Sequence, residues 1–369
     1  MTRALVLESP RTLVERDLPT PTIADDDALL RVEACGLCGT DHEQFTGQLF
    51  GGFAFVPGHE TVGVIETIGA AAARRWGVAV GDRVAVEVFQ RCGRCDACVA
   101  GAYNRCRRHG LTDMYGFIDV AKAPGLWGGY AEHQYLAPDS LVLRVPDDLD
   151  PQVATLFNPL GAGIRWGVTV PGTRRGDVVA ILGPGVRGLA AAAAVLDVGA
   201  SFVLVTGAGA RDTPRLDMAR RLGVDLALDV TRPDGTDPAR RLRAATGGRL
   251  ADVVIDVTAK APAALAQALA LARPGGTVVL AGTRGAPVPE FAADLVVYKE
   301  LRVVGALGVD TEAYRAAFDM LASGRYPFAK FDRRSEALDA ARVSDLLATM
   351  AGERGTPPLH AVVSPSAVT

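Results

Sequence analysis

Short apolar runs from residue 178 onward constrain the fold of this chain more than any other feature. They begin about 23–27 residues apart, so each interval is long enough for a helix, and helical patterns occupy 189–196, 216–222 and 263–272. Uninterrupted β runs that alternate with helices are typical of a parallel, doubly wound sheet that is buried on both faces. The runs are VVAIL (178–182), FVLVT (202–206), DLALD (225–229), DVVIDV (252–257), TVVLA (277–281) and LRVVG (301–305).

The first 150 residues have a different, β-rich pattern in which Gly, Pro and Asp separate short apolar runs. A single helix is predicted over Pro151–Gly167, and a surface helix with a loop over 235–248. After about residue 308 the sequence predicts one more helix, Glu312–Ser323, and a short tail. With 369 residues the chain is expected to form two domains. The early runs lie at 4–7, 28–32, 61–68 and 83–88.

A glycine pattern follows the first of the later runs, in VVAILGPGVRGLAAAAA. Gly183, Gly185 and Gly188 form G-x-G-x-x-G between a predicted strand and a predicted helix, which is the context of a dinucleotide-binding turn. These glycines permit the turn, let the backbone approach a pyrophosphate, and let helix and strand pack closely. The helix N-terminus, at Val186, is expected to attract the phosphates. Arg187 either contacts the pyrophosphate or points to solvent.

The end of the next run bears on which dinucleotide binds. An acid is expected there to hold the ribose 2′-OH of NAD, but FVLVTGAGARD places Thr206 at that position, and Asp212 comes several residues later. Arg211 and Arg215 are candidates for the 2′-phosphate of NADP, or ordinary surface charges. The sequence leaves NAD and NADP open and slightly favours NADP.

Four of the six cysteines fall within residues 91–106, RCGRCDACVAGAYNRC. No export signal and no run of about 18 uncharged apolar residues is recognisable. A cytoplasmic location is therefore expected, where disulfides are rare. Two-residue gaps between cysteines suit four thiolates around one tetrahedral zinc ion. The predicted ligands are Cys92, Cys95, Cys98 and Cys106.

Arginines around these cysteines raise the alternative of a nucleic-acid-binding zinc ribbon. Ribbon cysteines form two separated pairs, whereas here three lie close together and the fourth follows. The net charge of −3 also gives no general attraction to nucleic acid or to acidic membranes. Neither class of partner is expected.

The other two cysteines, Cys35 and Cys38, lie in EACGLCGTDHEQF, and His59 and Glu60 follow in VPGHETVG. Together with further motifs, these segments give the chain a resemblance to the zinc-dependent medium-chain dehydrogenases, the family of alcohol, polyol and glucose dehydrogenases. The further motifs are GDRVAV, the four-cysteine segment, GGYAEH, NPL, GPGVRG and KELRVVG. The resemblance covers essentially the whole chain.

This resemblance implies an α/β fold with an active site in the cleft between two domains. A GroES-like, β-rich catalytic domain is expected at 1–155, with a structural zinc lobe at 91–110. A Rossmann domain with a doubly wound parallel sheet is expected at 156–308 to bind NAD(P). The C-terminal residues 309–369 are expected to return to the catalytic domain.

The resemblance also implies that Cys38 and His59 bind a catalytic zinc ion, that the four-cysteine set binds a structural one, and that Cys35 lies nearby without binding metal. Glu60 is expected as a neighbouring group or an exchangeable ligand, because adjacent residues of an extended chain face opposite ways. Relatives place an acid or a cysteine near the position of Asn158, which is a neutral and weaker ligand. Either Asn158 binds through its amide oxygen, or water replaces it, or Glu60 takes over.

The implied reaction interconverts an alcohol and an aldehyde or ketone, with hydride passing from a zinc-bound alkoxide to the nicotinamide. Thr40 matches the hydroxyl that relays the alcohol proton in the family. The last relay group is either Glu43 or His42, and Asp41 is expected to orient the site through hydrogen bonds.

Alternative functions stay open at this point. CGTDHE resembles the glucose dehydrogenase form of the motif, which favours a sugar or polyol substrate. A zinc-free quinone or enoyl reductase would not need the Cys38 and His59 motifs, and a non-enzymatic, crystallin-like protein would bind NADP without turnover. Trp127, Phe45 and Phe50 either line an apolar pocket or belong to the core. The resemblance further implies a homodimer or homotetramer, often formed through the last Rossmann strand near 301–307.

Overall fold

The computed structural model of the chain describes residues 1–49, 52–233 and 237–365. The chain divides into two compact units, one formed by Met1–Asn158 with Asp310–Thr369 and the other by Pro159–Val309. The first unit is therefore built from two separate stretches of sequence, whereas the second is continuous. Within the described ranges, none of the helices has the length and apolar character needed to cross a membrane.

Residues 1–158 fold mainly into strands. They are β1 (Thr2–Ser9), β2 (Thr12–Leu18), β3 (Ala28–Leu37), β4 (Glu60–Ile68), β5 (Arg83–Val86), β6 (His133–Leu136) and β7 (Val142–Arg144). The helices are α1 (Gly39–Phe45), α2 (Ala70–Trp76), α3 (Asp96–Val99), α4 (Pro151–Ala154) and α5 (Phe157–Ile164), which crosses into the second unit. A short 3-10 turn at Tyr103–Arg105 follows α3.

The single helix predicted over Pro151–Gly167 is wrong. The structure has α4, then α5, and then a π-helical turn at Arg165–Thr169. The break has a backbone cause, because Pro159 has no N–H to donate to the carbonyl of Thr155 four residues earlier. At the end of α4, the hydroxyl of Thr155 donates to the carbonyl of Gln152 at 2.8 Å.

The second unit contains the parallel sheet that the apolar runs predict. Its strands are β8 (Val178–Leu182), β9 (Phe202–Gly207), β10 (Leu226–Asp229), β11 (Ala251–Asp256), β12 (Ala272–Leu280) and β13 (Arg302–Gly305). The intervening helices are α6 (Val186–Val198), α7 (Thr213–Leu222), α8 (Pro238–Ala245), α9 (Pro262–Leu271) and α10 (Ala293–Tyr298). Part of the stretch predicted at 235–248 lies outside the described residues.

The strand order in this sheet is β10-β9-β8-β11-β12-β13, and the pairs are parallel. The order reverses direction at β8, which is the strand followed by the glycine pattern. Ligands of open α/β sheets bind at the carboxyl ends of the strands near such a switch point. The doubly wound parallel sheet is confirmed.

The C-terminal part of the first unit holds more structure than the predicted helix and tail. It contains α11 (Thr311–Ala322), β14 (Arg333–Ala337), α12 (Ala340–Met350) and β15 (His360–Ser364). The prediction of a short tail is wrong because α12 is amphipathic, and it buries Val343, Leu346 and Leu347. Asp339 caps this helix by accepting a hydrogen bond from the backbone N–H of Arg342 at 2.8 Å.

These late elements complete the larger sheet of the first unit. Its order is β14-β15-β3-β4-β5-β7, and β6 also pairs with β3. Strand β15 lies antiparallel to the last residues of β3, with Ala361 opposite Leu37. The end of β3, which leads directly to Cys38, is therefore fixed from both sides by β4 and β15.

Candidate active site

Two strand ends bring Cys38 and His59 together. Cys38 follows β3 and forms the N-cap of α1, whereas His59 directly precedes β4, the antiparallel neighbour of β3. The Sγ atom of Cys38 lies 3.2 Å from Nε2 of His59. With a carboxylate oxygen of Glu60, these ligand atoms all lie within 4.8 Å of one another, and all three residues are buried. This spacing fits one metal ion bound by sulfur, nitrogen and oxygen.

Glu60 lies closer to this set than the alternation of an extended chain suggests. A Cβ atom placed on Gly36 would come 2.5 Å from Oε2 of Glu60, so the missing side chain of Gly36 leaves the room that the carboxylate occupies. The structure therefore places Glu60 within reach of the Cys38–His59 pair. Both roles considered for it, ligand or neighbouring group, remain proposals.

Asp41 supports His59 from the side opposite Cys38. One carboxylate oxygen, Oδ1, lies 3.6 Å from Nδ1 of His59, and the other accepts a hydrogen bond from the backbone N–H of Cys38 at 2.9 Å. Burial alone would lower the pKa of His59, but Cys38 and Asp41 outweigh it and raise this pKa well above its usual value. Burial likewise opposes ionisation of Asp41, yet His59 lowers its pKa. An acid on the far nitrogen of an imidazole is the arrangement that orients histidine ligands of metals.

Asn158 lies in the first turn of α5 and is buried. Its amide nitrogen donates a hydrogen bond to the hydroxyl of Tyr314 at 3.1 Å. That hydroxyl donates in turn to Oε1 of Glu87 at 3.2 Å. Glu87 is fully buried, and burial raises its pKa to about 7.

Sequence reasoning missed Glu87 and Tyr314. The sequence did contain a signal for Glu87, because it follows directly on the apolar strand of GDRVAV. An acid that is buried with such a strand needs a hydrogen-bonding partner. Nothing local indicates Tyr314, which lies 227 residues further along the chain. The hydroxyl of Tyr103 is a second partner and donates to Oε2 of Glu87 at 2.7 Å.

The residues considered for proton relay lie on α1. Thr40 is half-buried in its first turn. Nε2 of His42 lies 2.9 Å from Oε1 of Glu353. The guanidinium of Arg11 donates to the same carboxylate, to Oε1 at 2.8 Å and to Oε2 at 2.9 Å. His42 is thus held by an ion-pair cluster, and Glu43 occupies the next position of the helix.

The four cysteines of residues 91–106 converge as the spacing predicts. Their Sγ atoms all lie within 4.8 Å of one another, and Cys92 and Cys98 are 3.9 Å apart. Tetrahedral zinc with Zn–S bonds of about 2.3 Å places its sulfur ligands roughly 3.8 Å apart, so the cluster fits zinc. Backbone N–H groups of Arg107 and Cys98 lower the pKa of Cys95 to about 6, which favours the thiolate. All six cysteines of the chain are free rather than paired in disulfides.

The glycine pattern forms the turn between β8 and α6. Gly183 has a φ of +100°, which favours glycine, and a Cβ atom on Gly188 would overlap the carbonyl oxygen of Gly183. By contrast, a Cβ atom on Gly185 would meet nothing within 4 Å. Gly185 caps α6 without a side-chain hydrogen bond, and Val186 begins the helix. The open space beside Gly185 and the uncapped N–H groups fit a pyrophosphate.

Arg187 packs over the ring of Trp166, with the guanidinium carbon 5.6 Å from the ring centroid. Both orientations that the sequence left open, toward a pyrophosphate or toward solvent, stay predictions beside this contact. Thr206, at the end of β9, is buried, and its hydroxyl lies 3.4 Å from Oε1 of Gln267. Its side chain is therefore held inside the unit.

Asp212 returns to the end of β9 although it comes late in the sequence. Oδ2 of Asp212 accepts a hydrogen bond from the backbone N–H of Ala208 at 2.9 Å, and Oδ1 accepts one from Arg215 at 3.1 Å. Burial and the nearby charge of Arg215 lower the pKa of Arg211. The structure thus gathers Asp212, Arg211 and Arg215 at one strand end.

A buried ion pair, also missed by sequence reasoning, joins the loops after β11 and β12. Asp256 is fully buried and accepts hydrogen bonds from Arg284 and from the hydroxyl of Thr258. Arg284 also donates to the carbonyl oxygens of Thr258 and Gly282. These contacts hold Thr258 beside the glycine turn, since a Cβ atom on Gly183 would lie 3.1 Å from the methyl group of Thr258.

The aromatic residues considered for an apolar pocket are core residues where the structure describes them. Phe45 and Trp127 are 4% and 3% exposed and belong to separate apolar clusters. Phe50 lies outside the described residues. Cys35 is buried beside the site, with its Sγ 3.6 Å from Oγ1 of Thr61, and does not belong to the described metal-binding groups.

Comparison with known proteins agrees with this geometry. Residues 24–147 match the alcohol dehydrogenase GroES-like domain, and residues 187–323 match the zinc-binding dehydrogenase domain. A probable alcohol dehydrogenase of Mycobacterium tuberculosis (strain H37Rv) is 68% identical over 366 residues, which cover 98% of both chains. The chain belongs to the zinc-dependent medium-chain dehydrogenases. The resemblance of the sequence motifs to this family is confirmed.

Two further members of the family extend the comparison. A sorbitol dehydrogenase of Bacillus subtilis (strain 168) is 30% identical over 87% of this chain and 86% of its own. The structure of a protein assigned as a zinc-binding dehydrogenase of Sinorhizobium meliloti 1021, bound to NADP, superposes with a TM-score of 0.81. It is 29% identical and covers 99% of both chains. The chain is therefore a zinc-dependent, NAD(P)-linked oxidoreductase of the alcohol dehydrogenase type, and its GroES-like and Rossmann-type fold is confirmed.

Proposed function

We propose that this chain oxidises an alcohol to an aldehyde or ketone, and catalyses the reverse, with one catalytic and one structural zinc ion per chain. The convergence of Cys38, His59 and Glu60 on one buried point carries this proposal. The domain assignment remains part of it, with a GroES-like catalytic domain at 1–155, a cofactor domain at 156–308, and a return to the catalytic domain at 309–369. The structural zinc ion would be held by the four-cysteine cluster.

Bound zinc supplies a Lewis acid that stabilises negative charge on the substrate oxygen. Cys38 and His59 would hold this ion, and Asp41 would keep the imidazole in the tautomer whose Nε2 is free to bind. Oγ1 of Thr40, two residues after Cys38, would relay the proton of the alcohol by accepting it while its own hydroxyl proton passes on to Glu43 or His42. The cofactor held at the turn of Gly183, Gly185 and Gly188 would supply the hydride acceptor for alcohol oxidation.

The third protein ligand is proposed as Asn158, through its amide oxygen. Glu60 is the second candidate, because its carboxylate lies within the Cys38–His59 set. A catalytic zinc site keeps one position open for substrate. Glu60 would then serve as an exchangeable ligand or as a neighbouring charge.

The cofactor is proposed to occupy the turn of Gly183, Gly185 and Gly188, with Val186 at the helix start. NADP is slightly favoured, because Arg211 and Arg215 lie together beside the end of β9. NAD is the alternative, and it is supported by Asp212 at the same strand end, since an acid there suits the ribose 2′-OH. Arg211→Ala should weaken NADPH binding much more than NADH binding, and equal effects on both would argue for NAD.

A sugar or polyol is the alternative substrate class. The CGTDHE motif supports it, as does similarity to the sorbitol dehydrogenase of Bacillus subtilis. Turnover of simple aliphatic and aromatic alcohols, compared with polyols and glucose, would separate the two classes. Preference for glucose or a polyol would replace the alcohol assignment without affecting the zinc ligands.

Zinc per chain is the direct test of the proposed site. Elemental analysis should find about two zinc ions in the wild type and about one in Cys38→Ser, which should also lose turnover. Cys35→Ser is the matched control, because Cys35 is equally buried but lies outside the ligand set. Cys38→Ser protein that retained both metal ions and full activity would refute the assignment.

A cytoplasmic homodimer or homotetramer is also proposed. Free cysteines are favoured in a reducing compartment. Strand β13 lies at one edge of the parallel sheet, and Tyr298 and Leu307, which flank it, are 79% and 53% exposed. Light scattering of purified protein would give the oligomeric state.

A further inference from the structure

A continuous chain of hydrogen bonds leads from the proposed third ligand to a buried acid. It runs from the amide nitrogen of Asn158 to the hydroxyl of Tyr314 and from that hydroxyl to Oε1 of Glu87. Glu87 and Tyr314 are fully buried, and Asn158 is 4% exposed. Tyr103 holds the other oxygen of Glu87, and the hydroxyl of Thr311 lies 3.3 Å from that of Tyr103.

The donors of this chain all point toward Glu87. Its carboxylate accepts from two tyrosine hydroxyls and from the backbone N–H of Phe89 at 3.2 Å. A tyrosine hydroxyl has one proton, and Tyr314 donates it to Glu87. Tyr314 can then only accept from Asn158, so it selects the NH₂ group of the amide rather than its oxygen.

The orientation of the Asn158 amide follows from this selection. The oxygen and nitrogen of a side-chain amide diverge from the same carbon, and asparagine can present either one to a given neighbour. With Nδ2 held by Tyr314, Oδ1 faces away from Tyr314. An amide binds a metal through its oxygen, so Asn158 can act as a ligand when Nδ2, and not Oδ1, is bonded to Tyr314.

We propose that Glu87 and Tyr314 are positioning residues that orient the amide of Asn158 so that its oxygen is presented to the catalytic zinc ion. The proposal rests on the proposed function, in which Cys38, His59 and Asn158 hold that ion. It also explains why an uncharged residue occupies position 158. An acid there would have no proton to donate to Tyr314 and would face a second carboxylate across one hydroxyl group.

Cobalt in place of zinc gives a readout that does not depend on turnover, because its visible spectrum reports the ligands around it. Protein carrying Cys38→Ser provides the signal of the four-cysteine site, which is subtracted. Measurements are made above the pKa of about 7 of Glu87, where its carboxylate is an acceptor. Tyr314→Phe and Glu87→Gln should shift the catalytic-site bands and weaken metal binding there by about ten- to a hundredfold.

The control is Tyr115→Phe. Tyr115 is also a fully buried tyrosine of the first unit, and its hydroxyl forms a hydrogen bond with the hydroxyl of Ser140 at 2.5 Å. This hydrogen bond involves none of the proposed catalytic zinc ligands. This variant should lose stability while keeping the wild-type cobalt spectrum and metal affinity. A purely structural role for Tyr314 would give the same result as Tyr115→Phe.

Each result separates this proposal from the function on which it rests. Wild-type spectra in Tyr314→Phe and Glu87→Gln would overturn the positioning role, and so would a wild-type spectrum in Asn158→Ala. Neither outcome would affect Cys38 and His59 as ligands. Failure of Cys38→Ser to lose a metal ion would instead refute the proposed catalytic site itself.

Discussion

Replacing Glu87 with glutamine should change how the stability of the first unit depends on pH. Glu87 is fully buried, and burial raises its pKa from 4.5 to about 7 in the folded protein. In the unfolded chain the same carboxyl group ionises near its ordinary value. The folded state therefore binds more protons between these two values, and the stability that this provides is lost as the pH rises through the folded pKa.

The size of the effect follows from the two pKa values. The difference of 7 − 4.5, about 2.5 units, corresponds to roughly 3 kcal/mol at 1.36 kcal/mol per unit. For a unit of this size, 1 kcal/mol shifts Tm by about 2–4 °C, so a change of roughly 6–12 °C is expected. Glutamine does not titrate, so Glu87→Gln should lack this dependence.

Calorimetry of zinc-loaded wild type and variant from pH 5 to pH 8 tests this expectation. With zinc in large excess at every pH, the Tm of the wild type relative to Glu87→Gln should fall as the pH rises, because the groups that the two proteins share largely cancel in the difference. Glu312→Gln is the control, since Glu312 is 91% exposed and should show a constant difference. A constant Tm difference for Glu87→Gln over this range would refute the reasoning.

Three further predictions concern the glycine turn, the buried ion pair and the cysteine lobe. Gly188→Ala should lower the Tm and abolish NAD(P)H binding, because its Cβ atom overlaps the carbonyl oxygen of Gly183. Gly185→Ala should keep the Tm and only weaken the dinucleotide affinity that a fluorescence titration measures. Arg284→Met should destabilise the protein by about 3–5 kcal/mol in denaturant titrations, since Asp256 is left charged and buried; a loss under about 1 kcal/mol would contradict a structural role. Cys98→Ser should remove about one zinc ion and increase proteolysis within residues 91–110, and unchanged zinc content would argue against the structural site.

The parallel sheet could be predicted because its signal is local. A strand buried on both faces must be apolar throughout, and Val178–Leu182 is fully buried. The β8–α6 turn could also be predicted, because the close contact at Gly188 and the positive φ at Gly183 each require glycine and so leave a pattern in the sequence. Family motifs gave Cys38 and His59, whose convergence depends on the pairing of β3 with β4.

The misses have a different physical origin. The break before α5 depends on one missing N–H group, at Pro159, in a sequence whose side-chain pattern stays helical. The partnership of Glu87 and Tyr314 joins residues 227 positions apart, so only the folded chain shows it. Asp212 comes several residues after the end of β9 in the sequence, so its position beside that strand end in the fold could not be predicted.

The position of β15 has a consequence for biosynthesis. The hydroxyl of Ser364 donates to the carbonyl of Glu33, across a sequence separation of 331 residues. Residues 159–309 form a continuous unit that can fold during translation. The edge of β3 beside Cys38, in contrast, stays unpaired until β15 has left the ribosome. Metal loading at Cys38 is therefore expected only after β15 has been synthesised. A nascent chain stalled before residue 360 would leave the edge of β3 beside Cys38 unpaired, and an unpaired strand edge favours aggregation.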